Sequence, residues 1–172
     1  CYYDVKYADR FEELFGNQYI GNHPTAEQGK YLVLRFNFSM VRATDDKLEA
    51  AFNRHISLET AYFASVYASY FKPDFQEQLK LIPEAAGRLE YICLCAKEQG
   101  LSIYLLIDEY DNFTNTILSS KGNDVYHSLT HDSGFYRSFF YVVKGVTTGA
   151  EAPVKRMFIT GVSPVTLDDV TS

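Results

Sequence analysis

The stretch Ile103-Tyr104-Leu105-Leu106-Ile107-Asp108-Glu109 is an uninterrupted run of apolar and aromatic residues that ends in two adjacent acids. Such a run is typical of a strand whose two faces are both covered, as in a parallel α/β sheet. The two acids fall at the carboxyl end of this strand, and ligands of open parallel sheets bind just outside those ends. Asp108 and Glu109 are therefore the first candidate site residues.

Two further strands are predicted, one on each side of this run, at 31–38 and 154–160. Helical periodicity fills the connections between the strands, with helices at 45–72, 83–99 and 134–146. Parallel strands need long crossover connections of this kind. The sequence therefore predicts an α/β fold with a three-layer parallel sheet and helical crossovers.

The long first helix is predicted to bury one stripe of its surface. Apolar residues at helical spacing form this stripe, and three further aromatic residues widen it. Thr44 or Asp45 is the candidate N-cap of the helix. The stripe consists of Leu48, Phe52, His55, Glu59, Tyr62 and Val66, widened by Phe63, Tyr67 and Tyr70.

Composition argues against several classes of protein. The net charge of −6 does not suit a broad basic surface for nucleic acid. No run of about 20 uncharged apolar residues occurs, so no membrane span is expected. The three cysteines, Cys1, Cys93 and Cys95, lack the even count and spacing of a disulfide framework. This indicates a reducing compartment and predicts a cytoplasmic protein.

The acidic pair at the strand end suits magnesium-dependent phosphoryl transfer. Asp108 would supply a hard oxygen ligand to Mg²⁺, and Glu109 would polarise an attacking water, as in a Walker B element. Thr160 is the next candidate, because it is a small polar residue at the end of the following strand. The alternative for all three residues is a buried strand followed by an ordinary polar loop. No GxxxxGK[ST] phosphate-binding loop occurs in the 172 residues.

Other polar residues offer weaker candidate sites. Asp111 would join Asp108 and Glu109 in a paired-metal nuclease, but no lysine or histidine accompanies these acids at catalytic spacing. His127 and His131 are four residues apart but lack the glutamate of an HExxH zinc site. Five arginines are candidate contacts for phosphate or a partner, against a default of solvated surface: Arg35, Arg42, Arg88, Arg137 and Arg156.

Two longer runs are more specific than these single residues: Leu-Leu-Ile-Asp-Glu-Tyr-Asp at 105–111 and Phe-Ile-Thr-Gly-Val-Ser-Pro-Val-Thr-Leu-Asp-Asp-Val-Thr-Ser at 158–172. Three shorter segments accompany them, at 11–16, 19–21 and 32–39. Together these runs resemble the bacterial AAA-ATPase-like family, whose members are P-loop NTPases with an AAA/STAND-like core. The resemblance covers nearly the whole chain.

The resemblance implies a role for each candidate residue. Asp108 matches the Walker B acid that coordinates Mg²⁺, and Glu109 matches the catalytic carboxylate. Thr160 lies where the polar sensor 1 residue is expected. The implied cofactors of the full-length protein are ATP and Mg²⁺.

Members of this family usually carry a P-loop ahead of the segment that begins here, and often a C-terminal domain similar to PD-(D/E)xK nucleases. Residues 1–172 are therefore expected to be a partial domain that runs from the Walker B to the sensor 1 region and binds ATP weakly or not at all by itself. The expected partners are nucleotide and an effector domain in cis, with nucleic acid as a further candidate partner through that domain. Two hypotheses stay open: an ATPase that drives an effector domain, and a non-hydrolysing interaction module with a degenerate nucleotide site.

Overall fold

Three parallel strands form the centre of the fold and lie side by side in sequence order. The computed structural model describes residues 1–41, 47–121, 125 and 134–162. The predicted α/β class, the parallel sheet and all three predicted strands are confirmed. The strands are β1 at Leu32–Asn37, β2 at Ile103–Asp108 and β3 at Val154–Ile159.

Helices fill the connections between the strands, as the sequence predicts. The predicted long helix is divided, because it ends at Val66 and a separate 3₁₀ turn follows at Ala68–Tyr70. A short helix before the 83–99 segment is not predicted by the sequence. The α-helices are α1 at Phe11–Phe15, α2 at Tyr19–Asn22, α3 at Leu48–Val66, α4 at Phe75–Lys80, α5 at Ala85–Glu98, α6 at Asn112–Lys121 and α7 at Phe135–Thr147.

The three longest helices, α3, α5 and α7, pack together on one face of the sheet. On that face Phe36 of β1 and Leu105 of β2 are fully buried, and the rings of Phe36 and Phe139 lie 5.5 Å apart. Both crossovers step in the same direction across the sheet. Because parallel crossovers are right-handed, two steps in one direction place both sets of helices on the same face.

The opposite face of the sheet is only partly covered in the described residues. The N-terminal segment lies against it, and the rings of Tyr3 and Tyr104 are 5.4 Å apart. Phe158 on the same face stays 58% exposed. The predicted three-layer arrangement is therefore incomplete in this part of the chain. A full second helical layer requires a connection that steps in the other direction.

The buried stripe of α3 differs from the predicted one. Tyr62, which the prediction places in the core, is 64% exposed, whereas Thr60 is fully buried. The Thr60 hydroxyl donates to the backbone oxygen of Ile56 at 2.7 Å and accepts from Arg88 Nη1 at 3.1 Å. These bonds satisfy the Thr60 hydroxyl in the core. Arg88, which the sequence predicts on the surface, is buried beside it. The buried residues of α3 are Phe52, Ile56, Thr60, Phe63 and Ala64.

Some predictions lie outside the described residues. They concern the N-cap at 44–45, a candidate contact at Arg42, the histidine pair His127 and His131, and most of the second specific run, 163–172. The three cysteines are all free thiols. No helix in the described ranges is both long enough and apolar enough to cross a bilayer.

Candidate functional site

Asp108 and Thr160 meet at the carboxyl edge of the sheet. Asp108 is the last residue of β2, and Thr160 follows directly after β3. Because the two strands are parallel neighbours, their ends lie side by side. The Thr160 hydroxyl donates a hydrogen bond of 2.6 Å to Asp108 Oδ1. Two residues that the sequence singles out separately are thus in direct contact across 52 positions of the chain.

Thr160 is held in place by four hydrogen bonds in all. Its hydroxyl also accepts from the backbone N–H of Glu109 at 3.1 Å. Its backbone N–H donates to the oxygen of Ile107 at 2.9 Å, and its backbone oxygen accepts from the N–H of Tyr110 at 3.0 Å. The β2–β3 ladder therefore continues beyond the strand ends and orients the Thr160 side chain between Asp108 and Glu109.

Glu109 has an unusual backbone conformation. Its φ of +53° is the only left-handed value at a non-glycine residue in the described ranges. This conformation costs about 1–2 kcal/mol for an L-residue, and such strain is concentrated at functional sites. Asn112 supports the turn, since its backbone N–H donates to the Glu109 oxygen at 3.0 Å and its Nδ2 donates to Glu109 Oε2 at 3.0 Å. The turn leaves the Glu109 side chain exposed to solvent.

Arg35 contacts the other oxygen of the Asp108 carboxylate. Its Nη2 lies 3.1 Å from Asp108 Oδ2, and the two side chains are 59% and 40% exposed. The hydrogen bond from Thr160, and after it the hydrogen bond from Arg35, hold the pKa of Asp108 below its usual value. Asp108 is therefore an anion at neutral pH, as a ligand of a hard cation must be.

Asp111 does not form a metal-binding cluster with the other two acids. It is 1% exposed, and its Oδ2 accepts from the backbone N–H of Val162 at 2.9 Å and from Asn115 Nδ2 at 3.2 Å. In the described ranges no group of three histidine, cysteine, aspartate or glutamate side chains is arranged to hold a metal ion. The carboxylate cluster expected of a paired-metal nuclease is thus not formed by these acids.

The adjacent residues Asp108 and Glu109 face two separate hollows. The Asp108 hollow has a volume of about 200 Å³ and the Glu109 hollow about 260 Å³. Because the hollows are separate, the Asp108 and Glu109 carboxylates can contact different parts of one ligand. The first hollow is lined by Arg35, Leu106, Ile107, Asp108, Phe158 and Thr160, and the second by Glu109, Asp111, Asn112, Asn115, Thr116 and Val162.

A magnesium ion bound at Asp108 would need most of its ligands from elsewhere. Asp108 offers a partly exposed, ionised carboxylate, and the Thr160 hydroxyl lies beside it. Mg²⁺ keeps several waters and is usually bound through one or two carboxylates plus substrate phosphates. The donor set therefore suits a magnesium ion that arrives with a phosphate ligand, rather than an all-protein metal site.

Sequence reasoning missed three features of the site. It did not single out Arg35 from the other arginines as the partner of Asp108. It did not assign Asn112 to the Glu109 turn, which depends on a side-chain bond from Asn112 Nδ2 to Glu109 Oε2. It considered Asp111 only as a weak candidate for a metal cluster, whereas Gly161 beside it marks a close approach of two loops: a Cβ there would lie 2.9 Å from Asp111 Oδ1.

Comparison with known protein families matches residues 1–171 to the AAA-ATPase-like family, described as "Predicted AAA-ATPase". Comparison with the curated proteins gives no match, and neither does comparison with the solved structures. The matched region contains both strand ends and every residue of the site described above. The chain therefore belongs to the AAA-ATPase-like family.

Proposed function

We propose that this chain forms the Walker B and sensor 1 part of a P-loop NTPase domain that binds and hydrolyses ATP with Mg²⁺. One observation carries the proposal. The Asp108 carboxylate and the Thr160 hydroxyl are joined at the carboxyl ends of adjacent parallel strands, with Glu109 as the next residue. Family membership supports the same activity.

Each residue takes the role for which its surroundings suit it. Bound Mg²⁺ would neutralise charge on the phosphates of the nucleotide. Asp108 would hold that ion, since it is ionised and partly exposed. Glu109 would orient the attacking water from its own hollow. Thr160 would set the distance between these acids, because its hydroxyl bonds to the Asp108 side chain and to the Glu109 backbone.

The outer edge of β3 is where the phosphate-binding loop would stand. In the described ranges β3 pairs with β2 alone, and Met157 and Phe158 on it are 43% and 58% exposed. A further strand beside β3, connected in the opposite direction, would reverse the strand order at this point. Ligands of doubly wound sheets bind where the order reverses. The same strand would bring a helix onto the uncovered face of the sheet.

Coupling to an effector domain in cis is part of the proposal. The net charge of −6 does not suit direct contact between this chain and nucleic acid. Nucleic acid would therefore be contacted through the effector domain.

The free cysteines fit a cytoplasmic protein.

The proposal is tested by ATP binding and hydrolysis in the full-length gene product. Glu109→Gln is expected to lower kcat by about 100-fold or more while ATP remains bound, because an amide cannot accept the proton of the water. Asp108→Asn is expected to abolish the magnesium dependence of binding. Glu98→Gln is the matched control, since Glu98 is an exposed acid paired with Lys72.

The possible results separate the two hypotheses. ATP binding without hydrolysis, unchanged by Glu109→Gln, would favour the interaction module with a degenerate nucleotide site. Absence of nucleotide binding in the full-length gene product would reject both. Equal loss of hydrolysis in Glu98→Gln and Glu109→Gln would remove the special role of Glu109.

A further inference from the structure

Arg35 is placed to compete for the carboxylate that we assign to the metal. In the strand register Arg35 pairs with Leu106, and Asp108 pairs with Asn37 two positions further along β1. The arginine side chain therefore runs along the open face toward the carboxyl edge, where its Nη2 lies 3.1 Å from Asp108 Oδ2. In the described part of the chain no second ion pair is made by Asp108.

The two donors that bind Asp108 differ in how easily they can leave. The Thr160 hydroxyl is neutral and belongs to a residue tied into the β2–β3 ladder. The Arg35 guanidinium is charged and 59% exposed, and ion pairs with this degree of exposure are weak. A divalent cation that approaches the carboxylate meets a like charge at Arg35 and is repelled by it. Arg35 is thus the contact that metal binding would break.

A cavity beside Arg35 offers space for its side chain after displacement from Asp108. Arg35 also lines a larger cavity of about 410 Å³ between β1 and α3. That cavity contains the acids Asp4 and Glu59. The Asp4 carboxylate is within 3.5 Å of Lys6 Nζ, whereas Glu59 is partly exposed and lies 3.9 Å from His55 Nε2. The guanidinium can therefore turn away from Asp108 toward this cavity, where the Glu59 carboxylate is a second acidic group for it to face.

We propose that Arg35 is a built-in competitor of the divalent cation at Asp108. In the metal-free protein the guanidinium neutralises the carboxylate, and a bound cation displaces it. Arg35 thereby raises the cation concentration needed to fill the site and favours a cation that arrives with nucleotide phosphates. The inference rests on the proposed function, because it takes Asp108 as the metal ligand.

The test is the affinity of Mn²⁺ for the full-length gene product, measured by electron paramagnetic resonance without nucleotide and again with a non-hydrolysable ATP analogue. Arg35→Gln keeps hydrogen-bond donors but removes the charge, and we expect it to bind Mn²⁺ about three- to tenfold more tightly than the wild type. This advantage should shrink as salt is added, because salt screens repulsion between exposed charges. Asp108→Asn should abolish the same binding event.

Arg156→Gln is the matched control. Arg156 lies on the same open face of the sheet, its side chain is likewise 59% exposed, and it pairs with Glu27 rather than with Asp108. The substitution changes the net charge by the same amount as Arg35→Gln. We expect its Mn²⁺ affinity to stay within about twofold of the wild-type value, since the removed charge is screened from Asp108.

The outcomes distinguish this proposal from the proposed function. If the wild type binds Mn²⁺ through Asp108 but Arg35→Gln and Arg156→Gln have the same affinity, Arg35 does not compete and only this inference fails. If Arg35→Gln weakens binding, Arg35 supports the site rather than opposing the metal. If no variant shows binding that Asp108→Asn removes, either without nucleotide or with the ATP analogue, the metal role of Asp108 fails as well.

Discussion

The Asp111 carboxylate accepts a hydrogen bond of 2.9 Å from the backbone N–H of Val162, so that the segment after β2 is tied to the segment after β3. The two segments are also joined by the bond from the Tyr110 N–H to the Thr160 oxygen. Asp111 is 1% exposed. A buried carboxylate that bonds a backbone N–H from a distant segment holds that segment in one position.

Removal of this carboxylate should destabilise the protein and loosen the site. Asp111→Ala leaves the Val162 N–H without its acceptor, and we expect a loss of about 2–3 kcal/mol in the free energy of unfolding. Urea denaturation measures this loss. Asn115→Ala is the control, because it removes one donor to Asp111 and leaves the Val162 bond intact, so its cost should stay below about 1 kcal/mol. Equal losses in the free energy of unfolding for the two variants would show that the bond to the Val162 N–H contributes little to stability.

Gly161 has no room for a side chain. A Cβ at this position would lie 2.1 Å from Tyr110 Cε1 and 2.9 Å from Asp111 Oδ1, and Tyr110 is itself buried. Gly161→Ala should therefore force the two loops apart and cost about 1–3 kcal/mol. The control is Gly145→Ala within α7, where a Cβ meets nothing within 4 Å. That change should stabilise by about 0.5–1 kcal/mol. Thermal unfolding should show a lower melting temperature for Gly161→Ala and a higher one for Gly145→Ala than for the wild type.

The strands could be predicted from local patterns, and the closeness of Asp108 and Thr160 follows from the pairing of those strands. A buried parallel strand requires a continuous apolar run, and parallel strands bring their carboxyl ends to one edge of the sheet. Once β2 and β3 are recognised, the residues that follow them must be near one another. The uncovered face of the sheet was harder to anticipate, since it depends on the direction of both crossovers.

The features that the sequence did not reveal depend on partners far away in the chain. The bond of Asp111 to Val162 spans 51 positions and the ion pair of Arg35 with Asp108 spans 73. A carboxylate beside two other acids is read as part of their cluster unless its distant partner is known. Thr60 is likewise absent from the predicted stripe, because burial of its hydroxyl depends on Arg88 from another helix.

Tyr67 joins three parts of the fold through its hydroxyl. The hydroxyl donates to Asp4 Oδ1 at 2.9 Å and accepts from the Val33 N–H at the outer edge of β1 at 3.0 Å. Burial raises the pKa of Tyr67, so the hydroxyl keeps its proton throughout the neutral range. Tyr67→Phe should cost about 1–3 kcal/mol because the buried Asp4 carboxylate and the half-buried Val33 N–H each lose a bond. Tyr62→Phe on the exposed side of α3 should change stability by less than about 0.5 kcal/mol.

The three cysteines should react at very different rates. Burial raises the pKa of the Cys93 thiol to about 12, so about one in ten thousand of these thiols is ionised at pH 8. Burial also raises the pKa of Cys95, whereas Cys1 is exposed. Titration of the native 172-residue chain with a thiol reagent should show one fast thiol, and denaturant should reveal the other two. Rapid reaction of Cys93 would contradict the packing of α5.

Thr160→Val should raise the pKa of Asp108 toward its usual value. The valine keeps the shape of the side chain but removes the hydrogen bond that contributes most to the lowered pKa. Nuclear magnetic resonance of the Asp108 carboxyl carbon measures the shift directly. Thr160→Ser, which retains the hydroxyl, should leave the pKa low. An unchanged pKa in Thr160→Val would mean that the Arg35 ion pair alone holds Asp108 in its ionised form.

Thr160→Val should also change how the melting temperature of the protein depends on pH. A carboxyl whose pKa is lower in the folded protein stabilises the fold above its unfolded pKa, and that stabilisation is lost as the pH falls through the folded pKa. Removal of the Thr160 hydroxyl should therefore lower the melting temperature at pH 7 relative to Thr160→Ser. The gap should narrow as Asp108 becomes protonated in acid, because both variants then lack the ionised acceptor. A gap that stays constant down to pH 2 would assign the whole effect to the lost bond with the Glu109 backbone.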